Sequence, residues 1–423
     1  MIKKKRSFIS SVLRLPLALL LSQIGLTKKV IAKSKPKVVV LGAGFGGASC
    51  ISYLSNFTDL IDLVVVDKNK WIKTCPFSNL VIGNLIDESK ITFKPKFNKN
   101  IRFVVSEFKF IDAERKKILF DDESSLDFDF LIISPGIGYK SKQIQGYSVN
   151  DNENIPHCWD GENKIANFKK GLDSLENKCK IIISSPDYPY RCPPAPYERA
   201  SMIANYLKGK SIKFKILIFD SKNSFTKKSI FLKEWKEMYG NSVEWISKQN
   251  GGLITRFEKK KVFNSDGEKI KGDFIHIIPE QKAGKIIFDS ELCKNDWCTI
   301  NPQTFQLLNF KDIYAVGDSV DAGDMPKSAF SAESQAKILS LNLINRILQK
   351  SYLNPVFLNT CYSFSSNDRA FSITSWYKLN TMKDRIVSLG SSQSSDDGLN
   401  DERKRESKEA FGWYENITKT LYG

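Results

Sequence analysis

The spacing of apolar positions changes period several times along this chain, and each change marks an element. "KPKVVVLGAGFGGASCISYLSNF" opens with a run of β-branched residues, crosses a glycine-rich turn and continues as a helix. A continuous apolar run of this length, without alternation, predicts a strand buried on both faces, as in a parallel sheet. "IDLVVVDKN" is a second such strand ending in an acid, and "FDFLIISPGIG" a third that ends in a turn at Ser134, Pro135 and Gly136. "GENKIANFKKGLDSLENK" then predicts a helix. "KIIIS" and "FKILIFD" are the strands of a second α/β unit that runs to about residue 290. "KDIYAVGDSV" supplies one more strand, followed by the helical stretch "KSAFSAESQAKILSLNLINRILQ". The last seventy-odd residues, rich in aromatic and polar types, read as a separate cap, with "SSQSSDDG" a surface loop. The pattern predicts an α/β protein with two dinucleotide-type units and a C-terminal domain.

Composition alters this picture in three places. The 423 residues carry a formal charge of +17, but residues 1–32 hold seven Lys or Arg and no acid, so 57 basic against 47 acidic residues remain. Those bases are interleaved with acids, which argues against nucleic-acid binding and favours a docking face for an acidic protein. The start "MIKKKRSFISSVLRLPLALLLSQIGLTKKVIA" begins with four basic residues and continues into a short apolar run, the form of an export signal. Within it Lys5, Arg6, Phe8 and Ile9 resemble a twin-arginine signal with lysine in place of the first arginine, the route of proteins exported with their cofactor, with a general secretory signal or a basic membrane anchor as the alternatives; the expected location is periplasmic. No later stretch reaches the ~18 apolar residues of a membrane helix, so stable membrane insertion is not expected after signal removal. Eight scattered cysteines and two histidines form neither a disulfide framework nor a zinc-site spacing, so no metal is expected.

Gly42, Gly44 and Gly47 form GxGxxG between the first strand and its helix, and Asp67 ends the next strand. Glycine permits the turn, the approach of a pyrophosphate and the packing of helix on strand, while the acid accepts from a ribose. Gly317 and Asp318 lie at a later strand end where two-domain flavoproteins make a second FAD contact, which favours FAD over NAD. In the second unit the loop "YRCPPAPYERA" holds three prolines and no glycine where a second fingerprint belongs. Prolines remove amide donors from such a turn, so NADH is not expected as reductant. Cys75 in "KTCPFSN", Cys192 in "YRCPPAPYERA" and Cys361 in "LNTCYSF" suit convergence over one flavin face. Cys50, Cys158, Cys179 and Cys293 read as buried free thiols, and Cys298 stays open.

From about Lys37 to the C-terminus the chain resembles the flavoprotein subunit of flavocytochrome c sulfide dehydrogenase. The resemblance rests on "TCPFSNLVIG", "YRCPPAPYERAS", "GDSVDAGDMPKSAFSAESQ", "YLNPVFLNTCYS" and "GWYENIT". It implies a glutathione-reductase-like fold: FAD-binding parts at 33–150 and 291–350, a central domain at 151–290 replacing the NADH domain, and a flavin-capping domain at 351–423, after the signal at 1–32. It further implies that Cys75 binds FAD through a thioether, that Cys192 and Cys361 form a redox-active disulfide beside the flavin, that Glu198 accepts a proton there, and that Trp413 lies close to the ring. Sulfide would be oxidised to sulfur or polysulfide and the electrons passed to a c-type cytochrome. This chain has no CxxCH, so haem c is expected on a partner subunit. Two departures from the family pattern stand out: Pro76 follows Cys75 where an aromatic is more usual, and Ala195 replaces a frequent glycine. A sulfide:quinone oxidoreductase, and an accessory flavoprotein acting on a thiol or persulfide partner of thiosulfate oxidation, are the alternatives.

Overall fold

The structure is a computed structural model that describes residues 34–141, 143–150, 155–159 and 164–423. The export segment expected at 1–32 lies outside them. The β-branched run forms strand Lys37–Leu41, which pairs in parallel with Asp62–Asp67 on one side and Phe130–Ile133 on the other. Ile313–Ala315 and Arg102–Val105 complete a five-stranded parallel sheet. Val38 to Leu41 and Leu63 to Val66 are fully buried, which is why these strands show no polar alternation. One face is covered by the helices Phe45–Leu54 and Ala329–Ile347, which are joined by a hydrogen bond between the Tyr53 hydroxyl and Glu333.

In sequence, between Phe130–Ile133 and Ile313–Ala315 of this sheet, the chain forms a second parallel sheet, ordered Val243–Ile246, Phe214–Asp220, Cys179–Ser185, Phe274–Ile277. Helix Ala195–Gly209 follows its strand Cys179–Ser185 and begins at the proline-rich loop, with Pro194 at its N-cap and Pro196 in the first turn. Proline costs nothing there, because the first amides of a helix have no intrahelical acceptor. The C-terminal region folds as three antiparallel strands, Val356–Ser366, Arg369–Leu379 and Ile386–Gln393, and a last helix, Asn400–Tyr422. The last strand takes in much of the "SSQSS" stretch expected as loop, although its side chains are largely exposed. The last helix returns to the first unit, where the Tyr422 hydroxyl donates to the Ala43 carbonyl at 3.3 Å.

Buried charges fasten the C-terminal region to the central sheet. Glu234 of helix Lys228–Tyr239 accepts two hydrogen bonds from Arg369, at 2.8 and 2.9 Å, one from Arg403 at 3.0 Å and one from Ser365 at 2.6 Å. Burial pushes its carboxyl up, but these donors outweigh that effect and hold it below the ordinary value. Arg199, 2% exposed, likewise joins Asn79 to the carbonyls of His157 and Cys158.

The fingerprint glycines differ in what they tolerate. A Cβ at Gly47 would stand 1.7 Å from the Gly42 carbonyl oxygen, whereas a Cβ at Gly44 would meet nothing within 4 Å. Gly47→Ala is therefore expected to cause a loss of folded protein, read as soluble yield and melting temperature. Gly44→Ala should fold with an unchanged melting temperature for the apoprotein yet bind flavin at least ~10-fold more weakly, a cost of about 1.4 kcal/mol, read by flavin titration of apoprotein.

Candidate functional site

A cavity of about 1260 Å³ runs from the fingerprint loop to the C-terminal strands. Its volume exceeds the ~300–1,000 Å³ of ordinary small-ligand pockets, as a dinucleotide requires. Gly42, Gly44, Asp67, Cys75, Cys192, Glu198, Gly317, Asp318, Cys361 and Trp413 all line it, so the topology gathers segments more than 370 residues apart in sequence. Gly47 does not line it and serves instead as the packing contact of helix on loop.

At one end Asp67 accepts from the Ala43 amide at 2.7 Å and the Asn69 amide at 2.8 Å, stiffening the fingerprint turn. Burial raises its carboxyl pKa against these bonds. Further along, Arg191 donates to Asp318 Oδ2 at 2.7 Å, while Asp318 Oδ1 is buried without a protein partner. A buried carboxylate oxygen left bare costs several kcal/mol unless a ligand donor meets it, by the ~2–7 kcal/mol scale of polar burial. Together with the open face of Gly44, that oxygen fits a bound FAD, whose ribityl hydroxyls carry such donors. The helix after Asp318 starts later than the sequence pattern places it, at Ala329, because Pro326 disfavours helix before it and Ser328 caps the start by accepting from the Ser331 amide. Ser328, Ala329 and Phe330 at that helix start still line the cavity.

Each cysteine loop is held rigidly. Cys75 precedes Phe77, whose φ of 68° lets its ring stack on Tyr414 at 4.3 Å, and Thr74 bonds the Tyr414 hydroxyl at 2.6 Å. Burial pushes the Cys75 thiol up, opposed by Arg191. Cys192 occupies the left-handed region at φ 57°, which costs a non-glycine residue about 1–2 kcal/mol. Its amide donates to the Lys327 carbonyl at 2.7 Å and its carbonyl accepts from Ala195 at 2.9 Å. Cys361 sits mid-strand in Val356–Ser366. Both cysteines are free and partly exposed on the cavity wall, near enough for each to shift the other's acidity.

The pair is polarised. The hydrogen bond from Cys192 and the nearby Lys227 ammonium pull the Cys361 thiol down to about 7, while the same contact and burial push Cys192 well above its ordinary value. Lys227, 3% exposed, donates to the Cys361 carbonyl at 2.9 Å and to Ser363 Oγ at 2.8 Å. Glu198 accepts from Asn79 at 2.7 Å and from the Phe364 amide at 2.9 Å, and burial raises its pKa. Trp413 lies between Phe45 and Phe330, stacked on each at centroid distances of 6.4 and 6.1 Å.

In the second unit the place of a nicotinamide nucleotide is filled. Asp220 ends its strand where an acid would read a ribose, but it is fully buried and accepts from Tyr197 at 2.5 Å and Trp245 at 2.8 Å, with Lys222 at 2.5 Å. The Tyr188 and Tyr190 rings stack at 5.3 Å beside that lysine.

Two parallel dinucleotide-type sheets, a glycine cradle and a capped cavity define a flavoprotein oxidoreductase of glutathione-reductase-like architecture. Residues 36–171 match the family described as pyridine nucleotide-disulphide oxidoreductase, residues 166–279 the central domain of the sulfide dehydrogenase [flavocytochrome c] flavoprotein chain, and residues 353–421 the flavin-binding domain of flavocytochrome c sulphide dehydrogenase. The chain belongs to the flavoprotein family of flavocytochrome c sulfide dehydrogenase. It is 47% identical over 45 residues, 11% of its own length, to 94% of the sequence given for that flavoprotein chain in Chlorobaculum thiosulfatiphilum. Over 354 residues it is 27% identical to the mitochondrial sulfide:quinone oxidoreductase of Dictyostelium discoideum, covering 77% of this chain and 75% of that protein. The sulfide:quinone oxidoreductase of Aquifex aeolicus has the same fold, with a TM-score of 0.71 at 16% identity over 92% of this chain and 91% of that one.

Lys227, Arg191 and Asn79 escaped the sequence pattern. Lys227 precedes a helix whose other residues read as an ordinary amphipathic surface, and nothing local marks it as buried. Replacing it tests its role: in reduced Lys227→Met the Cys361 thiol should titrate about one unit higher, making alkylation by iodoacetamide near pH 6.5 roughly 10-fold slower. An unchanged alkylation profile would remove Lys227 from the site. Anaerobic NADH should leave the flavin absorbance of the wild type unbleached.

Proposed function

We propose that this flavoprotein oxidises sulfide at a Cys192–Cys361 disulfide and passes the electrons to a c-type cytochrome that supplies the haem as a separate subunit. The observation that carries the reading is the convergence of these two thiols on the wall of one cavity that Cys75 and Asp318, with its bare oxygen, also line. Hydrosulfide attacks Cys192, a new S–S bond forms there as the Cys192–Cys361 bond breaks, and Cys361 leaves as thiolate. The direction follows from acidity, since the lower-pKa thiol is the better leaving group, and Lys227 stabilises its charge. Glu198 takes up the persulfide proton, its raised pKa suiting a carboxylate that must hold one. Glu198 returns that proton as a second hydrosulfide attacks the outer sulfur, so that the persulfide S–S bond breaks, hydrodisulfide leaves and Cys192 is restored as the thiol.

FAD, held by the fingerprint loop, Asp67, Asp318 and a thioether to Cys75, supplies the two-electron acceptor and one-electron donor that this chemistry needs. Trp413, Phe45 and Phe330 shield that part of the cavity from water. Export by a twin-arginine route would place the enzyme beside periplasmic cytochromes.

A second reading, transfer to quinone, draws support from the 27% identity to a sulfide:quinone oxidoreductase. Among the described residues no helix is long and apolar enough to cross a membrane.

Sulfide-reduced enzyme mixed separately with oxidised cytochrome c and with decylubiquinone discriminates the two. Reoxidation by the cytochrome at least ~10-fold faster than by the quinone is expected, and the reverse order would overturn the acceptor assigned here. Cys192→Ser and Cys361→Ser should each lose sulfide oxidation by more than ~10³-fold, the scale of losing a reacting group, with flavin still bound. After acid precipitation of the wild type the yellow colour should remain in the pellet, and Cys75→Ala should release it to the supernatant.

A further inference from the structure

We infer that Cys293 and Cys298 form a second dithiol–disulfide pair, a thiol-exchange site behind the cavity wall, separate from Cys192 and Cys361 and open to small disulfides. The sequence separates them by four residues, Lys294 to Trp297, and the turn folds back so that the Cys293 sulfur lies 3.1 Å from the Asn295 carbonyl oxygen and 3.0 Å from that of Trp297. The second carbonyl belongs to the peptide bond that begins Cys298, so the Cys293 sulfur stands over its partner's backbone. That position puts the Cys298 thiol within side-chain reach of the Cys293 sulfur, and each thiol is the main influence on the other's acidity. Neither residue lines the flavin cavity. Cys293 is partly exposed and Cys298 fully buried, an arrangement of attacking and resolving thiols.

Electrostatics assigns the order. The hydrogen bond from Cys298 lowers the Cys293 thiol to about 6, whereas Cys298 is raised by that contact and by burial. Cys293 thiolate attacks a small disulfide RS–SR, forming a mixed disulfide and releasing one RS⁻. Cys298 then displaces the second RS⁻, so that one S–S bond breaks, one forms, and the two protein thiol protons end on two RSH.

The pair is coupled to the flavin wall through the backbone. Cys298 donates its amide to the Ser319 carbonyl and accepts from the Asp321 amide, both at 2.9 Å, just after Asp318 in the chain. Lys327, whose carbonyl holds the Cys192 amide, lies over the Trp297 ring at 3.6 Å and donates to the Val320 carbonyl at 2.7 Å. Closing the six-residue ring therefore stiffens the turn that abuts both flavin contacts.

Trypsin offers a direct test because Lys294 lies between the two cysteines. Full-length reduced enzyme is exposed to glutathione disulfide at pH 7, quenched with N-ethylmaleimide and digested. The expected product is residues 286–294 joined to residues 295–311, two hydrogens lighter than the sum and split by dithiothreitol. Recovery of the two peptides separately, each carrying maleimide or a persistent glutathione, would overturn the proposal. The same linked product is expected in Cys192→Ser/Cys361→Ser, and its absence there would mean that the bond is made only by exchange with the cavity pair, which also overturns an independent site. In Cys298→Ala, Cys293 should keep glutathione as a stable adduct, whereas an unmodified Cys293 would contradict its role as attacking thiol. Failure of sulfide oxidation would leave these products unchanged, so the two readings fall separately.

Discussion

Two opposite charges buried on either side of one strand hold the site together. Glu198, in the first turn of the helix after the proline loop, accepts from the Phe364 amide, and Lys227 donates to the carbonyl of Cys361 and the hydroxyl of Ser363. Both belong to the central unit, and both grip strand Val356–Ser366 of the C-terminal region. A hydrogen bond to a charged group of this kind contributes about 1.5–3 kcal/mol, a sizeable share of a domain's total stability. That constraint sets where Cys361 lies relative to Cys192. It also sets the acidity of the pair, since the lysine that anchors the strand is the cation that favours the Cys361 thiolate. Glu234 with Arg369 and Arg403 extends the same fastening to the last strands and the last helix.

The central unit shows how a nucleotide fold serves another purpose. Its strands and helix keep the parallel register of a dinucleotide unit, but the turn between them carries prolines where amides would cradle a phosphate. The acid at the next strand end is consumed by Tyr197, Trp245 and Lys222. The helix N-terminus left free by the missing phosphate now stands behind Cys192, and the left-handed backbone at that cysteine turns its sulfur toward the cavity rather than into the sheet. The turn that would cradle a phosphate thus carries Cys192 to the cavity wall instead. Conversion by loop chemistry alone is possible because the sheet beneath is fixed by apolar packing that does not involve the loop.

Much of the architecture is written locally. Continuous β-branched runs can be stable only when covered on both faces, so the strands around Val39, Val64, Leu131, Ile182 and Ile218 announce parallel sheets, and Gly42, Gly44, Gly47 and Asp67 mark the nucleotide end of the first. Cys75 and Cys192 are also legible, because the prolines and aromatics around them have no packing periodicity to explain their presence; Cys361, expected in a loop, lies mid-strand, and Glu198 is marked only by likeness to a family. The pairing of Cys192 with Cys361 entered through likeness to a family, and local pattern could not have supplied it: residues 169 positions apart carry no mutual signal in one chain.

Tertiary structure alone decided the rest. Lys227 sits on a surface-like stretch and becomes a buried cation only because the C-terminal strands fold over it. The bare oxygen of Asp318 exists because Arg191, on a different unit, takes its neighbour. Cys293 reads as a buried free thiol and Cys298 stays open in the sequence, whereas the fold leaves Cys293 partly exposed and a tight turn brings its sulfur over the peptide of Cys298. Secondary structure follows from short-range sterics and the period of apolar residues, and this sequence determines it by itself. Acidity and reactivity depend on which charges share a low-dielectric space, and only the folded chain determines that.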